Sequence, residues 1–385
     1  MARISIRERV GRPQIVAGLL LLFFLAECLW LTAHLQVSPP HGTGYLIDSV
    51  NRGAMQWHGG PISADSIHSP LWFLLLSAPV ALFRLHPESP LFLWAVAAPQ
   101  IVFGLLLGAS LWYVSRRLYG NAGGYVALAL YCFSPGILRS STLWFAEPEM
   151  PAAWGAFGAV FTAIAVAHTL YAPREVILWN WRRILLLGLS FTLAIGCQFS
   201  LVLLVPVALF FLLYLAWERR AAAIAIWLAA CGIAAVLLAA CSFFHLRVYR
   251  DAILFCVQWR AYLSPLAYKV FIARLSELSP ALVLALPAAL LCYFLWSRTH
   301  YFGNNAPLAV AALLLSFALG TPHLPGFGFN LIALPFLLVF TAGIAADLLE
   351  TRHRALVLGC IWALLLANAA WNLRGLGMAE SHYFQ

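Results

Sequence analysis

The chain has 385 residues, 63% of them hydrophobic and 10% charged, which excludes an ordinary soluble domain with its roughly quarter-charged, 45–50% apolar make-up. At ~20 apolar residues per bilayer crossing, the length accommodates about ten to twelve spans and leaves no room for a large soluble domain. The net charge of +9, from 23 Lys+Arg against 14 Asp+Glu, sits in short connections between apolar runs, which fits membrane orientation and argues against a nucleic-acid partner.

Arg3, Arg7, Arg9 and Arg12 precede an apolar run over about 14–36. This is the start of a signal peptide without an A-x-A-like end, so an uncleaved first span is expected. Glu27 falls inside that span, and a buried hydrogen bond to a neighbouring helix is the expectation for it. Val37 to Ser69 is the first long connection. Within it, Leu46, Val50, Ala54 and Trp57 recur at helical spacing and predict an amphipathic helix on the membrane surface, with Asp48 and Arg52 sharing the other face. That pair is equally compatible with a surface ion pair and with chemistry. Asp65 and His68 are suited to bind a substrate or a cation, and capping of the next helix by Asp65 or Ser69 is an equal alternative.

Pro70 to Phe83 is apolar but only 14 residues long, about 21 Å of helix against a hydrocarbon core of ~30 Å. Further runs lie at about 90–114, 121–138, 151–170, 184–197, 200–217, 222–244, 278–297, 305–320, 328–349 and 355–373, making eleven candidate spans with the first. The 184–217 stretch is interrupted by Gly196-Cys197-Gln198-Phe199-Ser200 and reads as two short helices in a hairpin. If Pro70–Phe83 does not cross and the N-terminus is cytoplasmic, fourteen basic residues fall inside and nine outside, five of the nine in one loop. A crossing there would reverse the bias. The expected topology is therefore eleven spans, N-terminus in, with Pro70–Phe83 as a juxtamembrane or re-entrant helix on the outer face. The fold class is all-α integral membrane, about 11 transmembrane helices plus external juxtamembrane helices, in a single polytopic domain over 1–385.

The polar residues beyond the first connection are few. Arg139 is followed by Glu147-Pro148-Glu149-Met150-Pro151, an E-x-E arrangement suited to a divalent cation or to proton abstraction, though Glu149 ahead of Pro151 is also ordinary helix-start chemistry. The stretch His245 to Glu277 interleaves Arg247, Arg250, Arg260, Lys269 and Arg274 with Tyr249, Trp259, Tyr262 and Tyr268. Five cations on the outer side fit a lipid phosphate, or equally bulk anionic headgroups. His323 and Asn330 stand at the loop leading into 331–349 as candidates to line a site. The eight cysteines show no C-x-x-C spacing and read as buried thiols rather than a metal site or disulfides.

These segments, in this order, resemble the GT-C superfamily of polytopic glycosyltransferases, especially the bacterial relatives of protein O-mannosyltransferases and aminoarabinose transferases. The likeness rests on Tyr45 to Arg52, His68-Ser69-Pro70-Leu71-Trp72, Arg116-Arg117-Leu118-Tyr119-Gly120, Ser134-Pro135 leading to Glu149-Met150-Pro151, the hairpin at 184–217, and Asn330 to Phe336. It implies a GT-C-like fold and a membrane enzyme at the outer face of a bacterial inner membrane, moving a sugar from a polyprenyl-phosphate donor to an acceptor. It further implies an acid of the first external loop as base, an acid of the second assisting, and basic residues on the lipid phosphate. Glu149 matches the second acid. Gly42-Thr43 stand where the family usually has an acidic pair, leaving Asp48 or Asp65 for the first, while Gln198 replaces a common Lys and Asn330 a common Arg. The alternative is a GT-C-like protein without transfer activity that binds lipid-linked sugar or a partner.

Overall fold

A computed structural model describes residues 13–34, 42–58, 69–142, 147–171, 181–244, 259–324 and 326–383. Among them are fourteen α-helices and no strand: α1 Pro13–His34, α2 Gly42–Trp57, α3 Pro70–Phe83, α4 Phe92–Cys132, α5 Pro135–Thr142, α6 Glu149–Thr169, α7 Trp181–Cys197, α8 Leu204–Leu215, α9 Arg220–Cys241, α10 Pro265–Leu278, α11 Pro280–Leu295, α12 Phe302–Gly320, α13 Phe329–Leu349 and α14 Arg354–Tyr383. The chain divides into two compact units, each assembled from separate segments.

The first unit comprises Ser38–Phe103 and Trp144–Trp259. Its centre is the α6–α7 pair, where small residues let the backbones approach. A Cβ on Gly155 would stand 2.4 Å from the Ala194 nitrogen, and one on Gly158 would stand 2.6 Å from Ser190 Oγ. As position 155 advances to 158, its partner retreats from 194 to 190, so the helices are antiparallel. The start of α6 therefore shares one end of the pair with the finish of α7 and with Gln198. Gln198 is extended, a tight turn Phe199–Leu203 follows, and α8 leads away, so the expected hairpin forms where Gly196 and Gln198 interrupt the apolar pattern. Alanines of α6, α8 and α9 with Leu187 and Phe191 of α7 make the core.

Gly196 also admits α3, since its Cβ would lie 2.7 Å from that of Leu71. α3 has the bounds expected from the sequence, Pro70 to Phe83. Ser69 precedes it without a side-chain cap. The predicted amphipathic α2 packs on α3: Leu46 and Val50 are buried, Trp57 Nε1 donates to Ser77 Oγ at 3.1 Å, and a Cβ on Gly53 would meet the Phe73 carbonyl oxygen at 2.0 Å. Its apolar face is thus met by protein.

The second unit comprises Met1–Val37, Gly104–Leu143 and Arg260–Gln385. Its α4 portion turns sharply at Gly120, whose φ of 72° and ψ of −168° are open essentially to glycine alone. Beyond the turn the chain doubles back. A Cβ on Gly124 would lie 2.9 Å from that of Arg116, and the Tyr131 hydroxyl donates to the Gly104 carbonyl at 2.6 Å. The runs 90–114 and 121–138 are accordingly the two arms of a hairpin. α12 and α13 pack closely about Gly343 and Asn304, with α13 buried along most of its length.

The stretch His245 to Glu277 is not all loop: α10 occupies Pro265–Leu278, with Pro265 in its first turn, and meets α11 at 105°. The break at Ser279 is closed by polar side chains. Ser279 Oγ accepts from Leu282 N, Asn368 Oδ1 accepts from Ala281 N at 2.9 Å, and Asn368 Nδ2 donates to Ser279 Oγ.

Seven helices among the described residues are long and apolar enough to cross a membrane, or eight if the bent α10–α11 pair is one span. All eleven predicted runs are helical over most of their length. The lower count arises because 92–132 is continuous through its kink and because α7, α8 and α11 have 17, 12 and 16 residues. The chain is a multi-pass membrane protein. Glu27 Oε2 is buried without a hydrogen bond among the described residues, so the bond expected for that oxygen is not there. The described cysteines are free thiols, mostly buried or half-buried, with Cys360 exposed; Cys256 lies outside the described residues.

Candidate functional site

The carboxylates of Glu147 and Glu149 stand at the mouth of α6, in the first unit, and both are buried, with exposures of 2% and 4%. Pro148 between them has no N–H and stops α6 from extending backward, so Glu149 falls in the helix's first turn. The positive end of the helix dipole favours negative charge there. Gln100 of α4 reaches the same segment: its Nε2 donates to the Glu147 carbonyl, and its Oε1 has no hydrogen-bond partner among the described residues. The amide is wholly buried. Sequence reasoning missed Gln100, although one polar residue directly after Pro99 within an apolar run was a usable signal. Gln198, largely buried, belongs to the same end of the α6–α7 pair.

Asp48, in the same unit, is exposed on α2. Asp65, His68, Arg247 and Arg250 lie outside the described residues.

Arg139, Arg260, Lys269, His323 and Asn330 belong to the second unit. Arg139 of α5 faces Glu277 of α10 at 3.9 Å, a half-exposed ion pair worth under ~1 kcal/mol. Lys269 and Arg260 are exposed. Beside Arg260, the Tyr262 hydroxyl donates to the Ser316 carbonyl at 2.8 Å, and burial pushes its phenol up from the ordinary value. Arg274 Nη2 donates to the carbonyls of Pro322 and Leu324 at 3.2 and 2.6 Å. One cation of the charged stretch thus holds the turn that carries His323, itself exposed. Asn330 is buried in the first turn of α13, and its Oδ1 has no partner among the described residues.

For a divalent cation, Glu147 and Glu149 offer two carboxylates. Among the described residues no group of three His, Cys, Asp or Glu side chains is disposed to hold a metal, so no chemical step is derived through one.

Residues 68–244 match the family model described as dolichyl-phosphate-mannose-protein mannosyltransferase. The fold is similar to that of the archaeal oligosaccharyltransferase AglB from Archaeoglobus fulgidus, solved with an inhibitory peptide and a dolichol-phosphate, at TM-score 0.61 and 12% identity over 95% of this chain and 56% of that one. It is likewise similar to ArnT from Cupriavidus metallidurans bound to undecaprenyl phosphate, at TM-score 0.61 and 13% identity over 92% of this chain and 63% of that one. The chain has the GT-C fold. A third structure, the Archaeoglobus fulgidus oligosaccharyltransferase with Zn and sulfate, matches at TM-score 0.53 and 14% identity over 94% of this chain and 52% of that one. The chain spans between about half and three-fifths of these proteins' lengths. No curated protein sequence matches it.

Proposed function

We propose that this GT-C protein is a membrane glycosyltransferase that moves a sugar from a polyprenyl-phosphate donor to an acceptor at the outer face of a bacterial inner membrane, with its N-terminus cytoplasmic. The observation that carries the reading is the pair of buried carboxylates, Glu147 and Glu149, at the mouth of α6 in a GT-C fold. Burying two carboxylates two residues apart in the chain is a costly arrangement for stability alone. The relatives of this fold solved with dolichol-phosphate and undecaprenyl phosphate support a lipid-linked donor.

In the reaction, the acceptor oxygen attacks the anomeric carbon as the bond from that carbon to the donor phosphate breaks, through an oxocarbenium-like transition state. The acceptor's proton passes to a carboxylate, drawn from Asp48, Glu149 and Glu147. The polyprenyl phosphate departs, its charge met by basic side chains among Arg139, Arg247, Arg250, Arg260 and Lys269. Asp65, His68, His323 and Asn330 complete the list of residues assigned to substrate binding.

The test is release of radiolabelled sugar from polyprenyl-phosphate donors by the purified protein. Wild type releases it, and Glu149→Gln lowers the rate by at least about a hundredfold while leaving polyprenyl-phosphate binding intact. Donor binding without release under any acceptor, in wild type, supports instead a protein that binds lipid-linked sugar without transferring it. The departures Gly42-Thr43, Gln198 and Asn330 are the feature favouring that second reading.

A further inference from the structure

At the end of the first unit opposite the two carboxylates, we propose a binding surface for anionic phospholipid headgroups, built from Arg182, Arg183, Arg219 and Arg220 with Trp181 and Trp217. This surface is independent of the sugar-transfer reading and uses none of its residues.

Three helix termini meet there. Arg183 Nη1, at the start of α7, donates to the Ala165 carbonyl of α6 at 3.4 Å. The Glu218 N–H, just ahead of α9, donates to the Tyr171 hydroxyl beyond α6, also at 3.4 Å. The four arginines are all exposed, and among the described residues Glu218 is the one carboxylate interleaved with them. Among the described residues neither Arg219 nor Arg220 has a carboxylate partner.

The aromatic residues decide the kind of partner. Trp217 and Trp181 are 68% and 54% exposed. The Arg220 guanidinium carbon sits 3.7 Å from the Trp217 ring centroid and that of Arg182 5.5 Å from Trp181. The Arg220 guanidinium, over the face of the Trp217 ring, can still turn its N–H fork to two phosphate oxygens at once. Exposed indoles are poorly placed in water and well placed at headgroup depth, so the cations beside them stand at the level of lipid phosphates rather than in bulk solvent. The 21 residues of α6 cover about 31 Å at 1.5 Å each, matching a ~30 Å hydrocarbon core. The surface and the carboxylates therefore face opposite leaflets. An excess of cations over Glu218 selects a headgroup with net negative charge over a zwitterionic one.

The experiment is native mass spectrometry of the purified full-length protein with phosphatidylglycerol and phosphatidylcholine of matched acyl chains. Wild type retains phosphatidylglycerol in preference. The double variant Arg219→Gln, Arg220→Gln loses it on the order of twentyfold, taking about fivefold per guanidinium near an anionic surface. Arg219→Lys, Arg220→Lys, which keeps the charge and removes the fork, recovers part of the loss. Equal retention of the two lipids by wild type overturns the proposal, and this reading needs no variant to fold. So does a double variant that loses undecaprenyl phosphate but keeps phosphatidylglycerol, because the arginines would then serve the donor. Failure of sugar transfer in any of these proteins leaves the lipid result standing.

Discussion

Gln100 beside Glu147 and Gly53 at the α2–α3 contact show how much depends on single residues whose partners are distant in sequence. Replacing Gln100 by Leu removes the donor to the Glu147 carbonyl and leaves a buried acceptor unpaired, which costs about 1–3 kcal/mol. The expected result is slower sugar release with little change in polyprenyl-phosphate binding, read as a split between rate and affinity. Gly53→Val forces a side chain against the Phe73 carbonyl and Ser77 Oγ, and overpacking of this kind costs about 1–3 kcal/mol or more. A lowered midpoint in a detergent thermal-shift assay checks it. Glu147 and Glu149 were legible in the sequence because two carboxylates around a proline stand out among apolar neighbours. Gln100 gave only the weaker signal of one polar residue after Pro99 in an apolar run, and its partner is 47 residues away. The same holds for Gly53, whose need for the missing Cβ is set by α3.

Among the elements, the apolar periodicity located nearly every helix, and the length argument against a 30 Å core set Pro70–Phe83 apart with the bounds observed. Two features escaped it. Gly120 lies between two runs read as separate spans, and only its left-handed backbone shows that they fold back through a single residue. Gly120→Ala is expected to cost about 1–3 kcal/mol, since no other residue occupies that region freely; the same thermal assay measures it, with Gly232→Ala, in mid-helix and open to space, as the control that holds or raises the midpoint. α10 was hidden in the charged stretch because Arg260, Lys269 and Arg274 with their aromatic neighbours read as loop, although Ser264-Pro265 is an ordinary helix start. The α10–α11 break depends on Asn368. Asn368→Leu strips the Ala281 N–H of its acceptor and is expected to lower stability by about 1–3 kcal/mol; an unchanged midpoint would show that the break holds itself.

For the whole molecule, composition and charge placement established a polytopic membrane protein, while the interleaving of two units from discontinuous segments was invisible, because it rests on packing between residues a hundred or more positions apart. The charge argument also carries an orientation. Arg116 and Arg117 flank the Gly120 turn, and a reporter fused after Arg117 is expected to read as cytoplasmic; an exported reading would invert every later connection.

Sugar transfer requires the donor's anomeric carbon to lie within reach of a carboxylate. In a structure of this protein with a bound polyprenyl-phosphate sugar, the anomeric carbon is expected beside a carboxylate of Asp48, Glu147 or Glu149, near enough for that group to take a proton from an incoming hydroxyl. A sugar bound with none of the three in reach would contradict it.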